Sequence, residues 1–276
     1  MIPRHRTRCL SFYRVVERGQ VRCGLKAMFP VHSLCRAAVL IALLPVLSCP
    51  LPAQASVVIT GTRVIYPGDA QVKTLQLTNE DTFPNVVQAW VDIDDSASTP
   101  DTADAPFMVN PPVSRIAAGS GQSLRLVYTG SGLAQDRESL FHLNVLQIPP
   151  RNTATVDKNQ MLLMLRNRLK LLYRPAGIAG SVDRLPEQLQ FRCVKSAGRW
   201  LVQVTNPTGF HASFGNASVS VAGREWPLSA QMVPPFATVE WLPVQPQALP
   251  SGALKLQAQL INDFGARLDI RHDLAR

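Results

Sequence analysis

From residue 57 onward the sequence is cut into short runs rich in β-branched and aromatic residues, separated by Gly, Pro, Asn and Asp. Strong helix signals are scarce, and this rhythm of short run and turn is the pattern of an antiparallel sandwich. Strands are expected over residues 57–66, 72–79, 85–93, 107–110, 114–116, 122–128, 139–147 and 160–173. In the second half they are expected over 189–194, 200–206, 217–221, 238–242 and 254–262. In "SLRLVYT", Leu124, Leu126 and Tyr128 alternate with Arg125 and Val127, as in a half-buried strand. The Pro and Gly of "RPAGIAGS" at residues 174–181 read as a hinge. They divide the chain into two halves, 56–175 and 176–276, each of ordinary domain size.

Charge narrows the partners. Of 28 Lys and Arg side chains, eight lie before Ser56, together with one of the 19 acids. The formal +9 of the whole chain therefore falls to +2 over residues 56–276. A nucleic-acid footprint is not indicated.

The basic N-terminal segment reads as an export signal. Arg36 precedes an apolar core of about a dozen residues, and "PAQA" supplies an A-x-A cleavage site. That core is too short to span a bilayer, which takes about 20 apolar residues. Cleavage is expected after Ala55, with residues 1–55 removed, and Met28 is an alternative start. Four of the five cysteines fall in the discarded segment. Cys193 remains, in the strand-like "LQFRCV", and is expected to be a buried, inert thiol in a chain with no internal disulfide.

The segment "NQMLLMLRNRLKLLYRP" at residues 159–175 carries the most chemistry. Five apolar residues, Met161 to Leu165, run into Arg166, Arg168, Lys170 and Arg174. Leu162, Leu165, Leu169 and Leu172 also fit a helical face, and periodicity alone does not arbitrate. The surrounding strand pattern favours a strand. Charge inside apolar strand patterns recurs at Arg63, in "ITGTRVIYPG", and at Lys170. A buried cation needs a partner or a ligand. Arg63 and Lys170 together could form a carboxylate pocket; the competing reading is that each pairs with a local acid or is solvated.

Catalytic chemistry finds no foothold. His142, His211 and His272 were weighed as members of a hydrolytic triad, but none sits in a nucleophile motif. No zinc-protease helix motif, CxxC or phosphate-binding glycine loop occurs. No enzyme, cofactor or metal site is expected.

Seven motifs then resemble one family, the PapD-like periplasmic chaperones of pilus assembly. They are "GTRVIYPG", "VQAWVD", "NPPVSRIAAG", "QDRESLFHLNVLQIPP", "LKLLYRP", "VTNPTGFHASFGN" and "INDFGA", in family order across residues 56–276. The resemblance implies an all-β fold of two immunoglobulin-like β-sandwich domains set at an angle, with a cleft between them. It implies that Arg63 and Lys170 anchor the C-terminal carboxylate of a pilus subunit. Met161, Leu163 and Leu165, with Asn159 just before them, align with the donor strand that completes the subunit's open core. Glu138, Arg174 and Asp263 align with an interdomain charge network. The implied partners are fimbrial (pilin) subunits and an outer-membrane usher, in the periplasm, without membrane insertion. The competing class is an Ig-like surface adhesin or structural pilus subunit. Such a chain should have one incomplete sandwich and an N-terminal donor extension. One mismatch needs a structural answer. Lys170 has the opposite strand parity to Met161, Leu163 and Leu165, so a bulge or the use of both faces must reconcile them.

Overall fold

The computed structural model describes residues 56–151, 161–196, 199–245 and 252–275. The expected export signal at 1–55 and the donor-strand candidate Asn159 lie outside the described residues. The first half contains β1 (Val57–Ile59), β2 (Arg63–Pro67), β3 (Lys73–Asn79), β4 (Asn85–Asp92), β5 (Phe107–Asn110), β6 (Val113–Ile116), β7 (Gly121–Tyr128), β8 (Ser139–Ile148) and β9 (Leu165–Arg174). They form a four-stranded sheet, β1-β3-β7-β5, and a five-stranded sheet, β2-β9-β8-β4-β6. Strand alternation decides what each sheet buries. Leu75, Leu77, Leu124 and Leu126 from the first sheet meet Val64, Val87, Phe141, Leu143 and Leu171 from the second in one core. Leu77, Leu126, Leu143 and Leu171 are fully buried.

The second half opens on a 3-10 turn (Val182–Arg184) and the short helix α1 (Leu185–Gln188). Then come β10 (Gln190–Ser196), β11 (Arg199–Thr205), β12 (Phe214–Val221), β13 (Arg224–Pro227), β14 (Thr238–Trp241), β15 (Leu254–Ile261) and β16 (Arg267–Leu274). Sheets β10-β11-β14 and β13-β12-β15-β16 enclose a second core. It is built on Trp200, Val202, Val204, Val219, Trp241 and Leu256. Cys193 is buried in this core. Each half also ends a strand on a buried asparagine that satisfies loop carbonyls. Asn79 Nδ2 donates to Phe83 O, Ile116 O and Ala117 O; Asn206 Nδ2 donates to Phe210 O, Val233 O and Pro234 O.

Three strand expectations are corrected. The run at 57–66 is two strands, because Gly61, at φ +92°, turns the chain from one sheet to the other. The expected strand over 160–173 begins only at Leu165; residues 161–164 are described but take no regular structure. The helical alternative for this segment does not occur. β13 and β16 lie in stretches where no strand was expected. β16 has little buried face to betray it, since its residues are exposed except Ile270 and Leu274.

Candidate functional site

β9 is paired very differently along its two edges. Antiparallel to β8, it is bonded from Leu165 through Tyr173. Its other edge meets β2 in parallel, but only from Lys170 to Arg174. Over Leu165–Leu169 that second edge has no strand partner among the described residues. The apolar side chains at this end are also uncovered. Met161 is 94% exposed, Leu163 67% and Leu165 45%. Large apolar side chains beside an unpaired strand edge are what a protein normally avoids.

The β2–β9 register sets Arg63 opposite Lys170. The row continues across the sheet, Lys170 opposite His142 on β8 and His142 opposite Asp92 on β4. These four lie on the face away from the core, because Val64, Leu143, Leu171 and Val91 occupy the core face. Leu165 has the parity of Leu171 and Tyr173, which enter the core. The β8–β9 register runs unbroken from Leu165 to Tyr173, so no bulge intervenes. The parity mismatch is resolved by use of both faces within the strand.

Arg63 and Lys170 are both half-buried, and both reach the second sandwich. Arg63 Nη1 donates to Ile261 O at 3.0 Å. Lys170 Nζ lies 3.4 Å from Ser213 Oγ and 3.3 Å from Met232 Sδ. Neither cation has a carboxylate within ion-pair distance among the described residues. Arg63 Nε is buried with no hydrogen-bond acceptor. Burial holds the Lys170 ammonium below the ordinary lysine pKa, and the Arg63 charge pushes it further down. Burial likewise lowers Arg63, against the opposing pull of Asp263 and Glu138. Two desolvated cations with a spare buried N–H form a site for an anion with two oxygens.

The expected charge network is assembled at the hinge. Arg174, at the end of β9, donates from Nε to Glu138 Oε1 at 2.7 Å and from Nη1 and Nη2 to Asp263 at 2.6 and 2.9 Å. Burial alone would lower the Arg174 pKa, but the two carboxylates outweigh it and hold it above the ordinary value. His211 was not foreseen here. Its backbone N–H donates to Glu138 Oε2 at 2.7 Å, and its ring Nδ1 lies 3.2 Å from the same oxygen. The turn that carries Asp263 fits closely over the first sandwich. A Cβ on Gly265, at φ +83°, would stand 2.5 Å from Thr62 Oγ1.

Sequence reasoning missed a polar cluster on the outer face. Asp92, fully buried, accepts from Arg168 Nη2 at 2.5 Å, Asn144 Nδ2 at 2.5 Å and Ser98 Oγ at 2.9 Å. Burial pushes the Asp92 pKa up, but these three donors together hold it below the ordinary carboxylate value. The only signal available was the shared parity of Arg166, Arg168 and Lys170. The remaining histidines have local contacts: His142 Nδ1 lies 3.1 Å from Ile93 O, and the His272 ring is tilted against Phe191 with centroids 5.6 Å apart.

Comparison with known proteins identifies the family. Residues 56–179 match the model of the pili and flagellar-assembly chaperone PapD N-terminal domain. Residues 184–272 match the pili assembly chaperone PapD C-terminal domain. The probable fimbrial chaperone YadV of Escherichia coli is 38% identical over 218 residues, covering 78% of this chain and 88% of that one. The chaperone protein FimB/FhaD of Bordetella pertussis is 35% identical, covering 77% and 86%. The crystal structure of YadV superposes with a TM-score of 0.68 at 34% identity, covering 80% of this chain and all of that one. The SafB chaperone, solved in complex with the SafA pilin of Salmonella enterica, gives 0.64 at 30%, covering 79% and 96%.

Proposed function

The chain belongs to the PapD-like family of pilus-assembly chaperones, and we propose that it holds its subunit through the open edge of β9 and the Arg63–Lys170 pair. It is a chaperone of pilus subunits in an all-β, two-domain fold. Its family is not a known enzyme class, and a chaperone of this kind acts by lending structure.

The single observation that carries the reading is the division of one strand edge between two partners. β2 occupies the edge of β9 from Lys170 onward, and among the described residues no strand pairs that edge over Leu165–Leu169. A strand added there lies in line with β2 and must end where Arg63 begins. If it runs parallel to β9, it arrives with its C-terminal carboxylate. If it runs antiparallel, it arrives with its N-terminal ammonium, which two cations repel. The charges therefore select a parallel strand ending on its own carboxylate. Main-chain bonds supply pairing, and Met161, Leu163 and Leu165 enter the subunit's unfilled core. Each such side chain buried contributes about 1.5–3 kcal/mol.

The same reading assigns Glu138, Arg174 and Asp263 to fixing the two sandwiches against each other, so that Arg63 and Lys170 converge. It places the boundary between the domains after Pro175. It assigns the chain to the periplasm after removal of residues 1–55, with delivery of the loaded subunit to an outer-membrane usher. No helix among the described residues is long and apolar enough to cross a membrane.

The test is recovery of a subunit–chaperone complex from periplasm. Arg63→Ala and Lys170→Ala are each expected to abolish recovery while the chaperone itself stays folded. Full recovery with both variants would sink the anchor.

A further inference from the structure

β9 starts at Leu165, one residue before the first of two arginines that tie it to the outer face of its own sheet. Arg166 Nε and Nη2 donate to Asn144 Oδ1 at 3.0 and 2.7 Å. Its Nη2 also reaches Ser98 Oγ at 3.2 Å, and its Nη1 reaches Ser96 O at 3.1 Å. The guanidinium lies over the Trp90 ring, 4.9 Å from its centroid, and Trp90 Nε1 donates to the same Ser98 Oγ. Two residues on, Arg168 is bonded to the buried Asp92, which also holds Asn144 and Ser98. The two arginines, three strands and the loop after β4 thus form one connected cluster. N-terminal to Leu165 the described chain has no regular structure and is largely exposed.

We propose that Arg166 and Arg168 are positioning residues for subunit capture: they clamp the root of the donor segment, so that the Leu165–Leu169 edge is already extended when a subunit arrives. The proposal rests on the donor-strand reading above. Its physical basis is entropic. A strand edge that frays must be ordered at the moment of binding, and that cost is subtracted from the association. The clamp acts from the outer face, on side chains of even parity, so it leaves the odd-parity apolar side chains and the open edge unobstructed. Sharing of donors and acceptors around Asn144 and Ser98 makes the cluster cooperative, since each group orients the next. Arg166 supplies a planar fork with three bonded nitrogens and a stacking face, which a lysine cannot reproduce.

The experiment uses the full mature chain and the fimbrial subunit that co-purifies with it. Backbone amide hydrogen exchange is read in the free chain. Rates of complex formation are read as the subunit is diluted out of denaturant. Arg166→Ala and Arg166→Lys should both raise exchange at the amides that β9 bonds to β8 over Leu165–Leu169, with core strands β4 and β7 unchanged. Capture should slow by about tenfold as pre-ordering is lost, with little change in the dissociation rate. Leu163→Glu serves as the control for the underlying reading, since it removes an inserted side chain and leaves the clamp. If Leu163→Glu captures subunit at the wild-type rate and affinity, the donor-strand reading falls and takes the clamp with it. If Leu163→Glu is deficient while both Arg166 variants capture at the wild-type rate, the clamp proposal alone is overturned. Unchanged exchange in both Arg166 variants overturns it as well.

Discussion

Arg63 and Lys170 stand opposite each other on adjacent parallel strands, and both lack an ion-pair partner among the described residues. Like charges left together in a half-buried site are costly in the free protein. An anion bound there would relieve the cost, as the proposed carboxylate anchor requires.

A pH dependence follows. Lys170 has its pKa lowered by burial and by Arg63. A bound carboxylate would raise it again. Between the lowered value and the value in the complex, binding takes up a proton, so affinity falls as pH rises, by up to about tenfold per unit. The free chain behaves oppositely: a lysine depressed in the fold costs stability while charged, and that cost fades as pH climbs toward its unfolded pKa. Isothermal titration of subunit binding at rising alkaline pH should show the loss, with proton uptake read from the dependence of the heat on buffer ionisation enthalpy. A slope without proton uptake would assign it elsewhere.

Glu138 holds the hinge from within. Its carboxylate is 1% exposed and serves Arg174 and the backbone of His211. Glu138→Ala leaves a largely buried guanidinium and a backbone N–H short of acceptors. Arg174 keeps Asp263, so the loss should fall short of the about 3–5 kcal/mol of a buried charge left unpaired. Urea denaturation should show a lowered unfolding free energy, whereas Asp136→Ala, on an exposed pair, should leave it nearly unchanged.

Gly209 marks a second point where the halves touch. Its carbonyl accepts from Glu138 N at 2.8 Å, and a Cβ there would stand 2.5 Å from Asp136 O and 2.7 Å from Ile178 Cγ2. Gly209→Ala is expected to cost about 1–3 kcal/mol by overpacking. It should also weaken subunit recovery by misaligning Arg63 with Ile261 O. Wild-type stability and recovery would show that the contact yields freely.

Cys193 offers a check on the second core. It is 8% exposed among Phe191, Val202 and their neighbours. Its thiol should label with an aromatic disulfide reagent only at the rate of unfolding of this sandwich, and reductant should leave the melting temperature unchanged. Rapid labelling of the native protein would contradict the packing.

Much of this fold was legible because the period-2 pattern is written in side chains. β3, β5, β7 and β8 fall within a residue of expectation; apolar positions alternate in β3 and β7, and β5 and β8 are short apolar-rich runs bounded by turn residues. β16 was not legible, as an edge strand with so little buried surface carries almost no pattern. The break between β1 and β2 depends on one glycine at positive φ, which a run of β-branched residues conceals. At the site, the residue types of Arg63 and Lys170 were visible, but their pairing spans 107 positions and belongs to sheet register, not to spacing. The Arg166 and Arg168 cluster was hidden for the same reason. Its acceptors come from β4, β8 and a loop, and no local motif announces that Asp92 and Asn144 share the outer face with Arg166 and Arg168.

β2 starts only at Arg63, opposite Lys170, so an added strand would take up the β9 edge that precedes it. A sheet twists with fixed handedness, and a strand added to it inherits that twist. The subunit strand would join beside β9, on the edge away from β8 and in line with β2, so the existing sheet dictates its coil before its own core has closed. The chaperone would thus hand its partner a chirality and a curvature along with the missing bonds.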